Sequence, residues 1–448
     1  MSLILPTLSV DAVPTKQSAL SPETWPFDLS LLPEAAYLVG GSVRDALLGR
    51  QADYLDLDFV LPADAVIPDM LSLGQSDSAS GAIAVAQAIA KHYGAGFVVL
   101  DKTHHIARVV FERATVDFAQ QVGPTLEADL HRRDFTINAI AYHPHSQSLF
   151  DPTGGYQDLQ RRQLCMISAK NLAEDPLRLL RAYRQAAQLG FAIDGQTQET
   201  IRNLVSLINR VAAERIRGEL DCLLSLVQGT PLLTHAWRDG VISPWLPEAN
   251  ETALATVSAI DKTYADLRET WPDFANLLTA WLRENSVPGL HRSWLKATKL
   301  SQLLGEDLEQ AEETLGRLKY SRAEQQATLA ILRGWQQLQK AASPHISRRQ
   351  QYFLFKQAGA SFPGIALLAL TQGIDPSLVR FLLQRHQDPS DPVAHPQPLI
   401  TGRDLIEKLN LKPGPQIGQL LEAVQMAQAE GGINTANEAL AWVEQQLG

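Results

Sequence analysis

Cysteine is scarce, with two in 448 residues, Cys165 and Cys222. Two thiols in no ligand-like cluster build neither a disulfide scaffold nor a zinc module, so a reducing cytoplasmic setting is expected. Long hydrophobic runs are absent. No run approaches the ~20 apolar residues that span a bilayer, and no membrane partner is expected. The N-terminus, Met1-Ser2-Leu3-Ile4-Leu5-Pro6, has no basic region before its short apolar stretch, so a signal peptide is not indicated. No fixed-period repeat stands out. Net positive charge is lacking too: 39 Lys and Arg face 49 Asp and Glu, a formal charge of −10. That balance speaks against a nucleic-acid partner. The composition, 45% hydrophobic and 20% charged, is globular. At ~150 residues per domain the chain corresponds to about three domains.

What is present changes character along the chain. Residues 1–30, rich in Pro, Ser and Thr, read as a loosely structured arm. The apolar run Ala36–Val39 stops at Gly40-Gly41, a strand entering a tight turn. Ser42–Leu48 reads as a helix with Ser42 as its cap. Leu55–Leu61 alternates apolar and acidic residues as a strand does. Ala82–His92 is helical, and Phe97–Leu100, Ile106–Phe111 and Thr115–Phe118 read as strands. From about Asp158 onward the spacing is helical, as in Pro176–Leu189, Ala212–Leu226 and Leu303–Leu318. Breaks rich in Pro or Gly fall near Gly229–Pro231, Asn285–Gly289, Ser343–His345 and Gln387–Pro398. The fold class is α+β, a small mixed-sheet domain followed by an elongated all-helical body.

The sharpest local feature is Gly40-Gly41-Ser42-Val43-Arg44-Asp45, followed by Asp56-Leu57-Asp58. Residues i and i+2 of a strand share a face, so Asp56 and Asp58 place two carboxylates side by side. Such like charges repel unless a cation lies between them. Hard oxygen ligands of this kind suit Mg²⁺, which takes a few carboxylates together with substrate phosphates and water. The Gly-Gly turn allows close backbone approach to a triphosphate and places Arg44 one turn on.

Five ordered motifs carry a family resemblance. Leu38–Gly49 with Asp56-Leu57-Asp58 resembles the signature of the class II tRNA nucleotidyltransferase/poly(A) polymerase family. Arg132-Arg133-Asp134-Phe135-Thr136-Ile137-Asn138-Ala139 resembles its second motif, and Asp151–Leu159 its third. Glu174–Arg184 resembles the base-selecting motif, and Ala213–Leu220 the fifth. The tail segments Pro398–Leu405 and Leu411–Gly418 are similar to bacterial members. The resemblance implies a polymerase-β-like head at 31–150 after the arm, a helical neck at 151–228, a body at 229–390 and a tail at 391–448. It implies addition of C and A residues of the terminal CCA to the tRNA 3′ end from CTP and ATP, without a template. Asp56 and Asp58 then inherit Mg²⁺ binding. Gly41, Arg44 and Arg133 inherit nucleotide contacts, and Asp175, Arg178, Arg181 and Arg184 the base-selecting helix. The oligomeric state is left open.

The residue chemistry agrees with that reaction. Guanidinium forks of Arg44 and Arg133 match phosphate oxygens. Asp117, on a strand with apolar neighbours, is the candidate third carboxylate; the alternative is an edge-strand acid facing water. Asp175 and Arg178 are expected as neighbours on one helix surface. Asp accepts hydrogen bonds and Arg donates them, a pair that fits cytosine and adenine but not uracil or guanine. Arg181 and Arg184 drift around the helix, so Arg184 is assigned to phosphate rather than base. Two departures matter. The stretch 119–131 is short where full CCA-adding members have a longer charged loop, which leaves CC-only or A-only addition open. Gln185 stands where the family usually has Phe. No His-Asp phosphohydrolase pattern is found. Poly(A) synthesis and a non-catalytic RNA-binding role remain as alternatives. Residues 317–356 hold eight basic side chains against one acidic, Glu324, interleaved with Trp335, Tyr352 and Phe355. Arg348 and Arg349 there are the candidate RNA contacts.

Overall fold

The computed structural model describes residues 18–50, 53–66, 81–226, 229–280, 292–341 and 346–447. The first part of the expected arm, the Asn285–Gly289 break and the Ser343–His345 break lie outside the described residues. The chain forms two compact units, Met1–Val211 and Ala212–Gly448.

The first unit holds β1 (Tyr37–Val39), α1 (Gly41–Leu47), β2 (Leu55–Leu61), α2 (Ala82–Tyr93), β3 (Gly96–Asp101), β4 (Ile106–Val110) and β5 (Ala114–Gln120). It continues with α3 (Leu126–His131), β6 (Ala141–His143), β7 (Ser148–Phe150), α4 (Gly155–Arg161), β8 (Gln163–Leu164), α5 (Ala169–Glu174), α6 (Leu177–Leu189), β9 (Ala192–Ile193) and α7 (Gly195–Leu204). Seven strands form one mixed sheet in the order β3-β4-β5-β2-β1-β6-β7, with β2 and β5 parallel. Alternation explains its two faces. Leu55, Leu57 and Phe59 of β2 are buried on the α2 side, and Asp56 and Asp58 turn the other way. β6 and β7 went unread in the sequence because three residues carry too little periodicity.

Three local expectations are corrected. Residues 18–30 are not loose: Trp25 and Phe27 are buried and pack on Phe59, at 5.2 and 6.1 Å between ring centroids. The cap of α1 is Gly40, not Ser42, whose hydroxyl donates to the Val39 carbonyl at 3.3 Å. The helix expected from Leu303 starts at Leu308, after Gly305 at φ +74° and the capping side chain of Asp307.

The second unit is helical. It comprises α8 (Ala213–Ser225), α9 (Gly229–Arg238), α10 (Glu251–Thr270), α11 (Pro272–Thr279), α12 (Trp294–Gln302), α13 (Leu308–Arg317) and α14 (Arg322–Lys340). Then come α15 (Arg348–Ala358), α16 (Phe362–Thr371), α17 (Pro376–Gln387), α18 (Gly402–Lys408), α19 (Pro415–Glu430) and α20 (Ala436–Leu447). Its main core surrounds α16, which is apolar on nearly every side. Arg348–Thr371 has the length and composition of a membrane span. It is two helices joined by a short turn, and most of it is buried in this core.

Candidate active site

The site begins at the turn between β1 and α1. Gly40 sits at φ +81°, a conformation that glycine adopts without strain. A Cβ there would lie 3.5 Å from both Asp58 Oδ2 and Arg133 Nη1, so turn, acid and arginine meet at one point. One turn later the Arg44 guanidinium folds back over Gly41. A cavity of about 340 Å³ opens here, lined by Gly41, Ser42, Arg44, Tyr54, Asp56 and Asp58 among others.

The acids line up across two paired strands. Asp58 stands opposite Asp117 and Asp56 opposite Thr115. The Thr115 hydroxyl donates to Asp56 Oδ1 at 2.7 Å. Burial, followed by the negative charges of Asp56 and Asp117, pushes the Asp58 carboxyl up to about 7, against the pull of Arg133 and Arg108. An under-compensated carboxylate pair beside a cavity suits a hard divalent cation. Asp117 is central rather than on a sheet edge, as β5 lies between β4 and β2. Both its oxygens are held by Arg108, at 2.7 and 2.8 Å. Among the described residues no group of three His, Cys, Asp or Glu side chains is arranged to hold a metal. Asp117 would join the pair only by releasing Arg108.

The arginines approach from the other side. Arg133 is anchored by Asp129 at 3.3 Å. Its backbone is pinned by Asn171 of α5, whose amide donates to the carbonyls of His131 and Arg133, each at 2.7 Å. Arg178 reaches the carbonyls of Arg132 and Asn171, at 3.1 and 2.9 Å. Arg181 pairs with Asp134 at 3.1 Å. Arg184 donates to Gln188 on its own helix. Asp175 and Arg178 do not share one helix surface. α5 ends at Glu174, and Asp175 is extended (φ −130°, ψ 91°) ahead of Pro176, which caps α6. A residue before proline is disfavoured in the helical region, and this breaks the expected helix. The two remain linked by a turn, Arg178 N–H to Asp175 C=O at 3.0 Å.

Sequence reading missed the groups that brace this arrangement. Asn138, Asp134 and Gln185 are buried and joined to one another and to Arg44. No local signal marks such a pair, since Asn138 and Gln185 are 47 residues apart in the chain. The third motif is also a brace. Asp151 accepts from the N–H groups of Gly155 and Tyr156, each at 2.9 Å, and Asp158 accepts from the Thr136 hydroxyl at 2.7 Å.

In the second unit, Arg348 and Arg349 are exposed at the start of α15, with Arg348 donating to the Glu430 carbonyl at 3.4 Å. Trp335, Tyr352 and Phe355 are core residues and cannot stack on a base.

A glycine turn, a strand-borne pair of aspartates and converging arginines on a mixed sheet define a nucleotidyltransferase head. Residues 36–165 match the family described as the poly A polymerase head domain. Residues 190–252 match the family described as the probable RNA and SrmB-binding site of polymerase A, and residues 290–443 the one described as tRNA nucleotidyltransferase domain 2, putative. Within that class, the chain belongs to the tRNA nucleotidyltransferase family. It is 48% identical to a CC-adding tRNA nucleotidyltransferase of Synechocystis sp., over 94% of this chain and 96% of the relative. It is 32% identical to an A-adding tRNA nucleotidyltransferase of Deinococcus radiodurans, over 92% and 95%. The fold is that of the Thermotoga maritima CCA-adding enzyme complexed with tRNA, with a TM-score of 0.63 at 24% identity, covering 92% of this chain and 91% of that one. Enzymes of this family are generally dependent on a divalent metal.

Proposed function

We propose that this enzyme adds the two C residues of the terminal CCA to tRNA, from CTP and without a template, in the cytoplasm. The observation that carries the CC reading is the connection from β5 to Arg132. It is a short turn and the six-residue α3, with no room for the longer loop expected of full CCA addition. The 48% identical relative, itself named CC-adding, supports it. A-only addition is the second reading, favoured by the A-adding relative at 32%.

Asp56 and Asp58 would hold Mg²⁺, which when bound stabilises the attacking and leaving oxygens. The tRNA 3′-hydroxyl oxygen attacks the α-phosphorus and gives up its proton to solvent, the bond to the bridging oxygen breaks and pyrophosphate leaves. Gly41 leaves room for the triphosphate. Arg44 and Arg133 take up its charge with forked N–H donors. Asp175 and Arg178 present an acceptor and a donor to the base, and a wrong base leaves polar groups unmatched at roughly 1–3 kcal/mol each. Arg181 orients Asp134, and Arg184 is assigned to phosphate rather than base. Asp117, with its charge met by Arg108, stands beside the pair as the candidate third carboxylate. Arg348 and Arg349 would meet the tRNA backbone, whose recognition is mainly electrostatic. The chain divides into head, neck, body and tail that begin at residues 31, 151, 229 and 391.

The test uses a tRNA lacking CCA, tRNA-C and tRNA-CC, each with CTP, ATP or both, mapped at single-nucleotide resolution. The expected result is two C additions to the first substrate, one to the second and none to the third. Extension of tRNA-CC with ATP would overturn the CC reading. Long A tails would indicate poly(A) synthesis.

A further inference from the structure

One buried amide joins the two sides of the nucleotide site. Asn138 closes the short 3-10 turn Thr136–Asn138 and is 6% exposed. Both ends of its carboxamide are engaged. Oδ1 accepts from Arg44 Nη1 at 2.7 Å, and Nδ2 donates to Asp134 Oδ1 and to Gln185 Oε1, each at 2.9 Å. Arg44 belongs to the α1 side of the cavity. Gln185, 3% exposed, belongs to α6, the helix that also carries Arg178 and Arg181. Asp134 extends the chain to Arg181 at 3.1 Å.

The orientation follows from donor and acceptor counts. A carboxamide has one acceptor end and one end with two protons. A carboxylate and a glutamine carbonyl on one side force Nδ2 toward them and Oδ1 toward Arg44. The Arg44 fork is already gripped by Asp45 through Nε and Nη2, at 3.0 and 2.9 Å. Asn138 takes a third N–H. Two of the five remain beyond these contacts, on a side chain that lines the cavity. An arginine held only by Asp45 would pivot about that grip, and the Asn138 bond fixes its direction. The phenylalanine usual at position 185 could not accept from Asn138.

We infer that Gln185 and Asn138 form a positioning pair that aligns the Arg44 fork with α6, so that a base seated correctly against α6 finds its triphosphate aligned for attack. Neither side chain lines the cavity. The inference rests on the proposed roles of Arg44 toward phosphate and α6 toward the base.

Two substitutions of nearly the same volume test it. Gln185→Met fills the site without an acceptor, and Gln185→Glu keeps an acceptor oxygen in either protonation state. CMP incorporation is measured against CTP and UTP, with KM and the CTP-over-UTP ratio of kcat/KM as readouts. Both are independent of how much enzyme is folded. Q185M is expected to lower the ratio on the order of tenfold and to raise KM for CTP, with KM for tRNA unchanged, as one buried N–H loses its partner. Q185E is expected to recover most of the ratio. A merely structural role would lower the melting temperature of Q185M and leave ratio and KM at wild-type values, and that result overturns the inference alone. A wild-type protein that incorporates no CMP overturns the functional reading and this inference together.

Discussion

Arg108 clasps Asp117 at two points, Nε and Nη2 lying 2.7 and 2.8 Å from the two carboxylate oxygens, directly beside Asp58 in the sheet. The clasp neutralises one of three neighbouring acids and leaves Asp56 and Asp58 as the pair that needs a cation. Arg108→Ala is expected to destabilise the metal-free protein by about 1–3 kcal/mol, the cost of unpairing a part-buried charged group. It should also tighten Mg²⁺ binding, because Asp117 gains freedom to face the ion. Thermal melts with and without Mg²⁺ read both effects. Asp58→Asn should abolish incorporation, whereas Asp117→Asn should lower it far less. Equal losses would place Asp117 among the metal ligands.

The raised Asp58 carboxyl gives metal binding a pH dependence. Its folded value is about 7 and its ordinary value 3.8, so the folded state holds this proton more tightly than the unfolded chain does. The contribution to stability is therefore full below about pH 4, declines as pH rises toward 7, and is flat above. Metal takes the carboxylate form, so Mg²⁺ affinity should climb by up to about tenfold per unit below pH 7 and level off above it. Calorimetric titration at pH 6, 7 and 8 checks this. A flat profile would show that binding the ion displaces no proton from Asp58.

Among the described residues, the second unit buries two ammonium groups. Lys299 is fully buried, pairs with Asp261 and caps the end of α8 through the carbonyls of Leu224 and Leu226, at 3.0 and 3.3 Å. Lys296 lies 3.1 Å from Asp221 and 3.2 Å from Glu324. Removing one partner of a buried pair strands the other, so Lys299→Met should cost about 3–5 kcal/mol. The K299M/D261L double variant should cost clearly less. Urea denaturation of both variants decides it.

Much of the site was legible where period and chemistry coincide. Asp56 and Asp58 announce themselves because a strand alternates and Leu55, Leu57 and Phe59 mark its other face. Asp175 was misplaced because helical spacing continues through Pro176 while the backbone does not. Trp335, Tyr352 and Phe355 are interleaved with basic residues in the sequence, yet on helices the same spacing turns them inward. The acidic total misled because it averages the whole chain, whereas Arg44, Arg133, Arg178 and Arg181 gather locally around the site. Asn138 and Gln185 meet only through tertiary folding, which no window on the sequence contains.

Gly154 takes φ +76°, and Gly155 opens α4 against the turn that carries Asn138. A Cβ on Gly155 would lie 2.0 Å from the Thr136 carbonyl oxygen and 2.6 Å from its carbon, both backbone atoms that cannot swing aside. Gly155→Ala must push the Thr136–Asn138 turn away, at a cost toward the upper end of about 1–3 kcal/mol. Because Asn138 moves with that turn, KM for CTP should rise even in the fraction that folds. Gly195, at the start of α7, is the control. Nothing lies within 4 Å of its Cβ position, and Gly195→Ala should stabilise by roughly 0.4–1 kcal/mol with CTP kinetics unchanged. Melting temperatures and CTP saturation curves for the two alanine variants separate a general glycine effect from the specific contact. If G155A keeps both wild-type stability and KM, the brace is not what holds the Arg44 side of the site in register.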